Sequence, residues 1–214
     1  MATKIEKLAA SPETPLEVLL ELVKKGAEIA SNVISNPAIN LTTLRKIFLL
    51  LQEEYRLEGA AVMVLESPCI DEAFILEIYS ACPDIHSETG DDHPEENDYP
   101  VQLAKHPSTP AEIITKLAES PFYMVRERLA ARGDLVNAVV LRLAKDPNVQ
   151  VRRILATNSS VNAGILDLLA KDSDQTVLLK VALNSHTSTR ALHMLAVNPN
   201  ESIKFAALSS PAFQ

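Results

Sequence analysis

Tryptophan is absent from this chain of 214 residues, aromatic side chains make up only 4% of it, and it has five glycines and two cysteines. Each scarcity excludes something. Few glycines leave little room for loops that cradle phosphates, and no GxGxxG or Walker sequence occurs, nor a Ser-His-Asp set or paired carboxylates on a rigid face. Cys69 and Cys82 have neither the CxxC spacing nor the number that a zinc site or a disulfide framework requires, so both are read as reduced, packed small residues. No cofactor is expected. There is no run of 18 apolar residues, and Met1 to Lys7 is too short and too polar for a secretory signal. The expectation is a cytoplasmic chain without a membrane partner.

What is present is aliphatic: 47% of residues are apolar and 22% charged, which excludes a disordered chain, and Leu, Ala, Val and Ile dominate the apolar fraction. Small aliphatic layers suit closely packed helices. The net charge of -8 is local, because Asp84, Glu88, Asp91, Asp92, Glu95, Glu96 and Asp98 carry seven negative charges with no Lys or Arg between them. The rest of the chain is nearly neutral. Together with the lack of aromatics for base stacking, this argues against nucleic acid as a partner.

A period of 26 organises the chain. Leu103, Leu129, Leu155, Val181 and Ala207 lie 26 apart without a gap. With Leu103 as position one, position two reads Ala104, Ala130, Ala156 and Ala182, and position sixteen Ala118, Ala144, Ala170 and Ala196. Position twelve holds Ile114, Val140, Leu166 and Leu192, position fifteen Leu117, Leu143, Leu169 and Leu195, and position twenty-three Val125, Val151, Val177 and Ile203. Positions twelve, fifteen and sixteen share one helical face, and Ala there lets a neighbouring backbone approach closely. Thr109, Pro110 and Glu112 read as a capping box with an N1 proline, as do Thr14, Pro15 and Glu17. Asn40, Asp71, Asn162 and Ser188 read as caps one position later, and Pro121, Pro147 and Pro199 end the first helix. Each unit should be a helix of about ten residues, a proline turn and a shorter helical turn.

The fold class is therefore all-α, a solenoid of two-helix repeats with a period of about 26 residues, occupying 1–214 as one domain. Repeats start near 8, 33, 64, 103, 129, 155 and 181, with a truncated one at 207, and an acidic loop is inserted at 84–100. The 84–98 stretch should lack regular structure, its charges being unable to offset chain ordering. The last unit, stopping at Gln214, should expose core-type surface, met by end-to-end contacts, a folded-back Phe213 or continuation in a longer natural protein.

Written as V-R-x-x-[LV]-A-x-[NRS]-P-x-T-P-x-x-[IVL]-x-x-L-A-x-[DS]-P, the repeat resembles the leucine-rich repeat variant family, a HEAT-like helical-repeat group. Val125-Arg126 through Leu129-Ala130, Val151-Arg152 through Leu155-Ala156, and Leu143-Ala144-Lys145-Asp146-Pro147 carry the match. The resemblance is strong over 103–211 and loose before 64. It implies a right-handed superhelix of alternating α and 3₁₀ helices. Members of the family can carry a cysteine-rich segment that holds an iron-sulfur cluster, and two cysteines cannot supply its four thiolates.

The second helical element brings Arg126, Arg128, Arg152, Arg153, Lys180 and Lys204 to positions twenty-four to twenty-six, which a solenoid presents in a row. The functional reading is a basic stripe for phosphates or an acidic protein segment. The plainer one is solvated surface with local pairing, for example of Arg126 or Arg128 with Glu127 or turn aspartates. Binding, where it occurs, should map to Arg126, Arg152, Arg153 and Lys204. Asn36, Asn158 and Asn184 at position four tempt a reading as recognition groups, but Asn after a short helix is more simply a residue that tolerates αL geometry and bonds nearby backbone. His86 and His93 lie among the insertion's carboxylates, a poor frame for a metal, and His106, His186 and His193 occur singly at turn or surface positions. The leading expectation is a non-enzymatic scaffold for an unknown protein or peptide. Polyanion binding comes second, and an enzyme on a helical-repeat scaffold third.

Overall fold

A computed structural model describes residues 3–82 and 98–213, and every regular element among them is helical. The helices are α1 (Lys4–Ala10), α2 (Leu16–Val23), α3 (Ala27–Ile34), α4 (Leu41–Glu54), α5 (Leu57–Leu65), α6 (Glu72–Ala81), α7 (Tyr99–Lys105), α8 (Ala111–Leu117), α9 (Tyr123–Ala130), α10 (Asn137–Leu143), α11 (Val149–Thr157), α12 (Ala163–Leu169), α13 (Gln175–Leu183), α14 (Thr189–Leu195) and α15 (Glu201–Leu208), followed by a 3₁₀ turn at Pro211–Phe213. None of these helices is long and apolar enough to cross a membrane. Most of the acidic insertion, with its two histidines, lies in 83–97, outside the described residues, and its expected end at 100 is corrected: Asp98 is the N-cap of α7, and Tyr99 and Pro100 are the first, buried residues of that helix.

Two compact units emerge, 3–82 with 98–110, and 111–213. In the first, α1, α3, α5 and α7 pack in succession, with α2 against α1, α3 and α4. Phe48 of α4 meets Phe74 of α6 edge-on at 5.7 Å, and Arg45 lies over the same ring while pairing with Glu77. In the second unit α9, α11, α13 and α15 pack in succession, and α12 packs on α14. The helices of this unit start at Ala111, Asn137, Ala163 and Thr189, and at Tyr123, Val149, Gln175 and Glu201, both series 26 apart.

The core follows the aliphatic positions. Leu129, Leu155, Val181 and Ala207 are fully buried, as are Val125, Val151, Val177 and Ile203. Each buried Leu or Val contributes about 1.5–3 kcal/mol. Ala130, Ala156 and Ala182 sit where a larger side chain would push apart the successive helices α9, α11 and α13.

Three expectations about local structure need correction. The second element is neither short nor 3₁₀: α9 to α15 in that row run eight or nine residues, against seven for α8, α10, α12 and α14. At position twenty, Asn148, Asp174 and Asn200 accept amides at the starts of α11, α13 and α15, while α9, with Phe122 at its N-cap, begins without a side-chain cap. The proposed capping boxes at Thr14 and Thr109 do not form. Both hydroxyls point backwards and donate to a preceding helix's carbonyl, Thr14 to Leu8 at 2.6 Å and Thr109 to Leu103 at 2.7 Å, and Thr187 donates likewise to Val181 at 2.6 Å. A buried Thr next to an orphan carbonyl satisfies that acceptor in preference to the following amides. Caps do form at Asn40, Asp71, Asn162 and Ser188, and a true capping box joins Thr3 to Glu6.

The third correction concerns the position-four asparagines, whose backbones are extended (φ -73° at Asn158, -77° at Asn184) and not left-handed. They act through their amides. Asn158 donates to the carbonyls of Ala130 at 2.9 Å and Arg132 at 2.6 Å and accepts the Ser160 amide at 2.9 Å. Asn184 does the same with Ala156 at 2.9 Å, Asn158 at 3.2 Å and the His186 amide at 2.9 Å. In the first unit Asn36 bonds Ala9 at 2.7 Å, Ser11 at 2.8 Å and the Ala38 amide. One side chain thus satisfies carbonyls freed where the preceding helix of its row ends, and ties the two together.

Candidate functional site

The six basic candidates do not behave alike. Arg126 projects from α9 into the turn that precedes α11. Its Nε and Nη2 pair with both carboxylate oxygens of Asp146 at 2.6 and 2.9 Å, and Nη1 donates to the carbonyls of Ser120 and Pro121. Arg152, 26 residues on, makes the equivalent set, with Asp172 at 2.6 and 3.0 Å and the carbonyls of Asp146 and Pro147. Both clips are largely withdrawn from water: the side chains are 11% and 4% exposed in the first, 15% and 7% in the second. The Asp172 hydrogen bond raises the Arg152 guanidinium above its ordinary value, so it stays charged. Asp146 and Asp172 also accept the amides of Asn148 and Asp174, which helps hold each carboxylate in place for its arginine.

Arg126 and Arg152, expected in the binding row, are thus both engaged within the fold. Position twenty-four faces inward along the turns, where a planar guanidinium serves carbonyls and a carboxylate together. Where Leu178 replaces the arginine, Asn198 replaces the aspartate, so cation and anion change together. Lys204, at the same position on α15, pairs with Glu201 at 3.4 Å on an exposed edge. Arg128 is half-buried and engaged. Arg153 and Lys180 are half-buried cations with no ion-pair partner among the described residues.

Helices α13 and α15 carry exposed apolar side chains that sequence reasoning did not select. Arg153, Leu179 and Phe205 lie 26 residues apart at position twenty-five of the sequence period, on α11, α13 and α15. Phe205 is 73% exposed, and Leu183, one turn beyond Leu179, is 61% exposed. Between α13 and α15, Leu179, Leu183 and Phe205 line an open cleft of about 440 Å³ with Ala182, Ser202 and Ser209, and among the described residues no carboxylate is in its lining. The signal was legible at position twenty-five, which reads Glu127, Arg153, Leu179 and Phe205 and passes from charged to apolar along the chain. It is masked in a search for invariant positions because it does not repeat.

Other expected groups resolve into local roles. His193 stacks on Phe213 at 4.7 Å and its Nδ1 lies 2.7 Å from the Thr189 carbonyl oxygen, so Phe213 does fold back, onto α14. His106 Nδ1 accepts the Ser108 amide, and His186 is exposed. Cys69 and Cys82 are free thiols, with Cys82 buried and donating to Glu58 at 3.6 Å. Among the described residues no three His, Cys, Asp or Glu converge as metal ligands would. Comparison with family models, with curated proteins and with solved structures returns no match for this chain.

Proposed function

We infer that the chain is a non-enzymatic binding scaffold, a tandem-repeat helical solenoid of the kind the leucine-rich repeat variant family builds, and that its ligand is another protein. The observation that carries this reading is the recurrence of one asparagine tie, with the same three partners, at Asn158 and Asn184 between successive helices. A tie that joins each unit to the one before it supports an extended array whose outer positions are free to vary, the property on which repeat proteins build binding surfaces. Protein is favoured over polyanion because two of the four position-twenty-four side chains, Arg126 and Arg152, are already neutralised by aspartate. A guanidinium held by a fixed carboxylate has little left for phosphate.

Affinity capture on the immobilised chain from nuclease-treated lysate, beside filter binding of labelled random-sequence DNA and RNA, tests the reading. A captured protein that stays bound between about 50 and 200 mM salt supports it. Nucleic-acid binding that falls by orders of magnitude over the same range overturns it in favour of a polyanion ligand.

A further inference from the structure

Resting on the scaffold reading, we propose that the face formed by Arg153, Lys180, Leu179, Leu183 and Phe205 is a docking site for an extended acidic-apolar segment of a partner protein. Exposed single apolar side chains are ordinary, but here two stand on adjacent helices over one cleft, where Phe205 offers an aromatic anchor at the rim. The polar members of the lining are serines and Asn184, none of them charged, Glu201 and Lys204 of α15 pair with each other, and Arg153 of α11 and Lys180 of α13 are cations with no ion-pair partner among the described residues. A basic peptide would find no counter-charge in this cleft, and an uncharged one would leave both cations unused. An acidic residue followed by apolar ones matches the order in which the face presents its groups.

The spacing can be derived. Packed helices lie about 8–10 Å apart, so Arg153, Leu179 and Phe205, one on each of three successive helices, should recur at about that interval. A segment in the polyproline II conformation advances about 3.1 Å per residue with about three residues per turn, so it covers the interval in three and brings its side chains back to the same face. The preferred segment therefore has Asp or Glu at i, a large apolar residue at i+3 over Leu179 and Leu183, and another at i+6 against Phe205.

Selection of a displayed random dodecapeptide library on the full chain tests this. The expected result is enrichment of an acidic residue with apolar residues three and six positions later. A labelled peptide of that pattern should bind at least tenfold more weakly to Phe205→Ser and to Arg153→Glu, and unchanged to Val136→Ser, an exposed apolar residue elsewhere. Far-UV circular dichroism of the variants should match the parent, since both side chains lie outside the core. Enriched peptides without an acid, or binding that survives Phe205→Ser, would overturn the site while leaving the scaffold reading to the capture experiment. Failure to enrich any peptide sinks the docking site too. Concentration-dependent dimerisation abolished by Phe205→Ser would reassign the face to a second copy of the chain.

Discussion

Replacing Asn184 with Ala removes one tie and little else. Three neutral hydrogen bonds are lost, each contributing about 0.5–1.5 kcal/mol net. Their consequences differ. The Asn158 carbonyl keeps the Val161 amide at 3.3 Å, and the exposed His186 amide turns to water, but for the Ala156 carbonyl in the last turn of α11 Asn184 is the partner. Leaving that buried acceptor empty costs about 1–3 kcal/mol, so Asn184→Ala should destabilise by about 2–4 kcal/mol in all. Asn184→Asp should be worse at neutral pH, because it sets a carboxylate against two carbonyl oxygens. Its folded-state pKa would be raised, so the variant should regain stability as pH falls and the carboxyl protonates. Urea unfolding followed by circular dichroism gives the totals, and amide exchange at His186 and along α13 locates the loss where unfolding is not all-or-none. Ser159→Ala, at an exposed turn position, should lie within about 0.5 kcal/mol of the parent. An Asn184→Ala variant equally neutral would refute the tie.

The clips make a second test: Asp146→Ala strands the Arg126 guanidinium and should cost about 3 kcal/mol, while the pair Arg126→Leu with Asp146→Asn, copying Leu178 and Asn198, should recover at least half in a double-mutant cycle. Gly26 precedes α3 with φ 110° and open space around its Cα, so Gly26→Ala should lose about 1–3 kcal/mol to backbone strain alone, seen as a lower urea midpoint. Thr187→Val should cost about 1 kcal/mol and Thr187→Asp more, since an ionised carboxyl cannot donate to the Val181 carbonyl; a helix cap would instead tolerate Asp. The hydrogen bond from Arg132 holds the Asp134 carboxyl below its ordinary range. That depressed value means stability present at neutral pH and lost as pH falls through the acid range, so Asp134→Asn should flatten the decline of Tm below about pH 4.

The helices and their register were legible because burial recurs at fixed positions: the aliphatic residues at one, two, fifteen and twenty-three can be read directly as core. Polar groups were less legible. The sequence shows Asn158 and Asn184 at one position but not that their amides reach back 26 and 28 residues to carbonyls of the preceding unit. Thr109 before Pro110 and Glu112 carries every local sign of a cap, and a tertiary acceptor outcompetes it. Arg126 and Arg152 looked like a surface row because periodicity fixes a side, not a direction. The aspartates that claim them lie 20 residues on, too far for local pairing rules. Leu183 and Phe205 went unselected because they break the pattern that made everything else visible.

The tandem-repeat account is tested most directly by excising residues 155–180, one whole period, so that Ile154 joins Val181. Asn184 would then meet the carbonyls of Ala130 and Arg132 that Asn158 now holds, and Arg152 would meet Asn198, so Asn198→Asp is included to restore its clip. The account predicts a shortened protein with the parent's ellipticity per residue and a cooperative, lower urea midpoint, while excision of 155–167, half a period, gives a chain without fixed tertiary structure. If both excisions collapse alike, the 26-residue unit is not an interchangeable structural module and the repeat architecture is wrong.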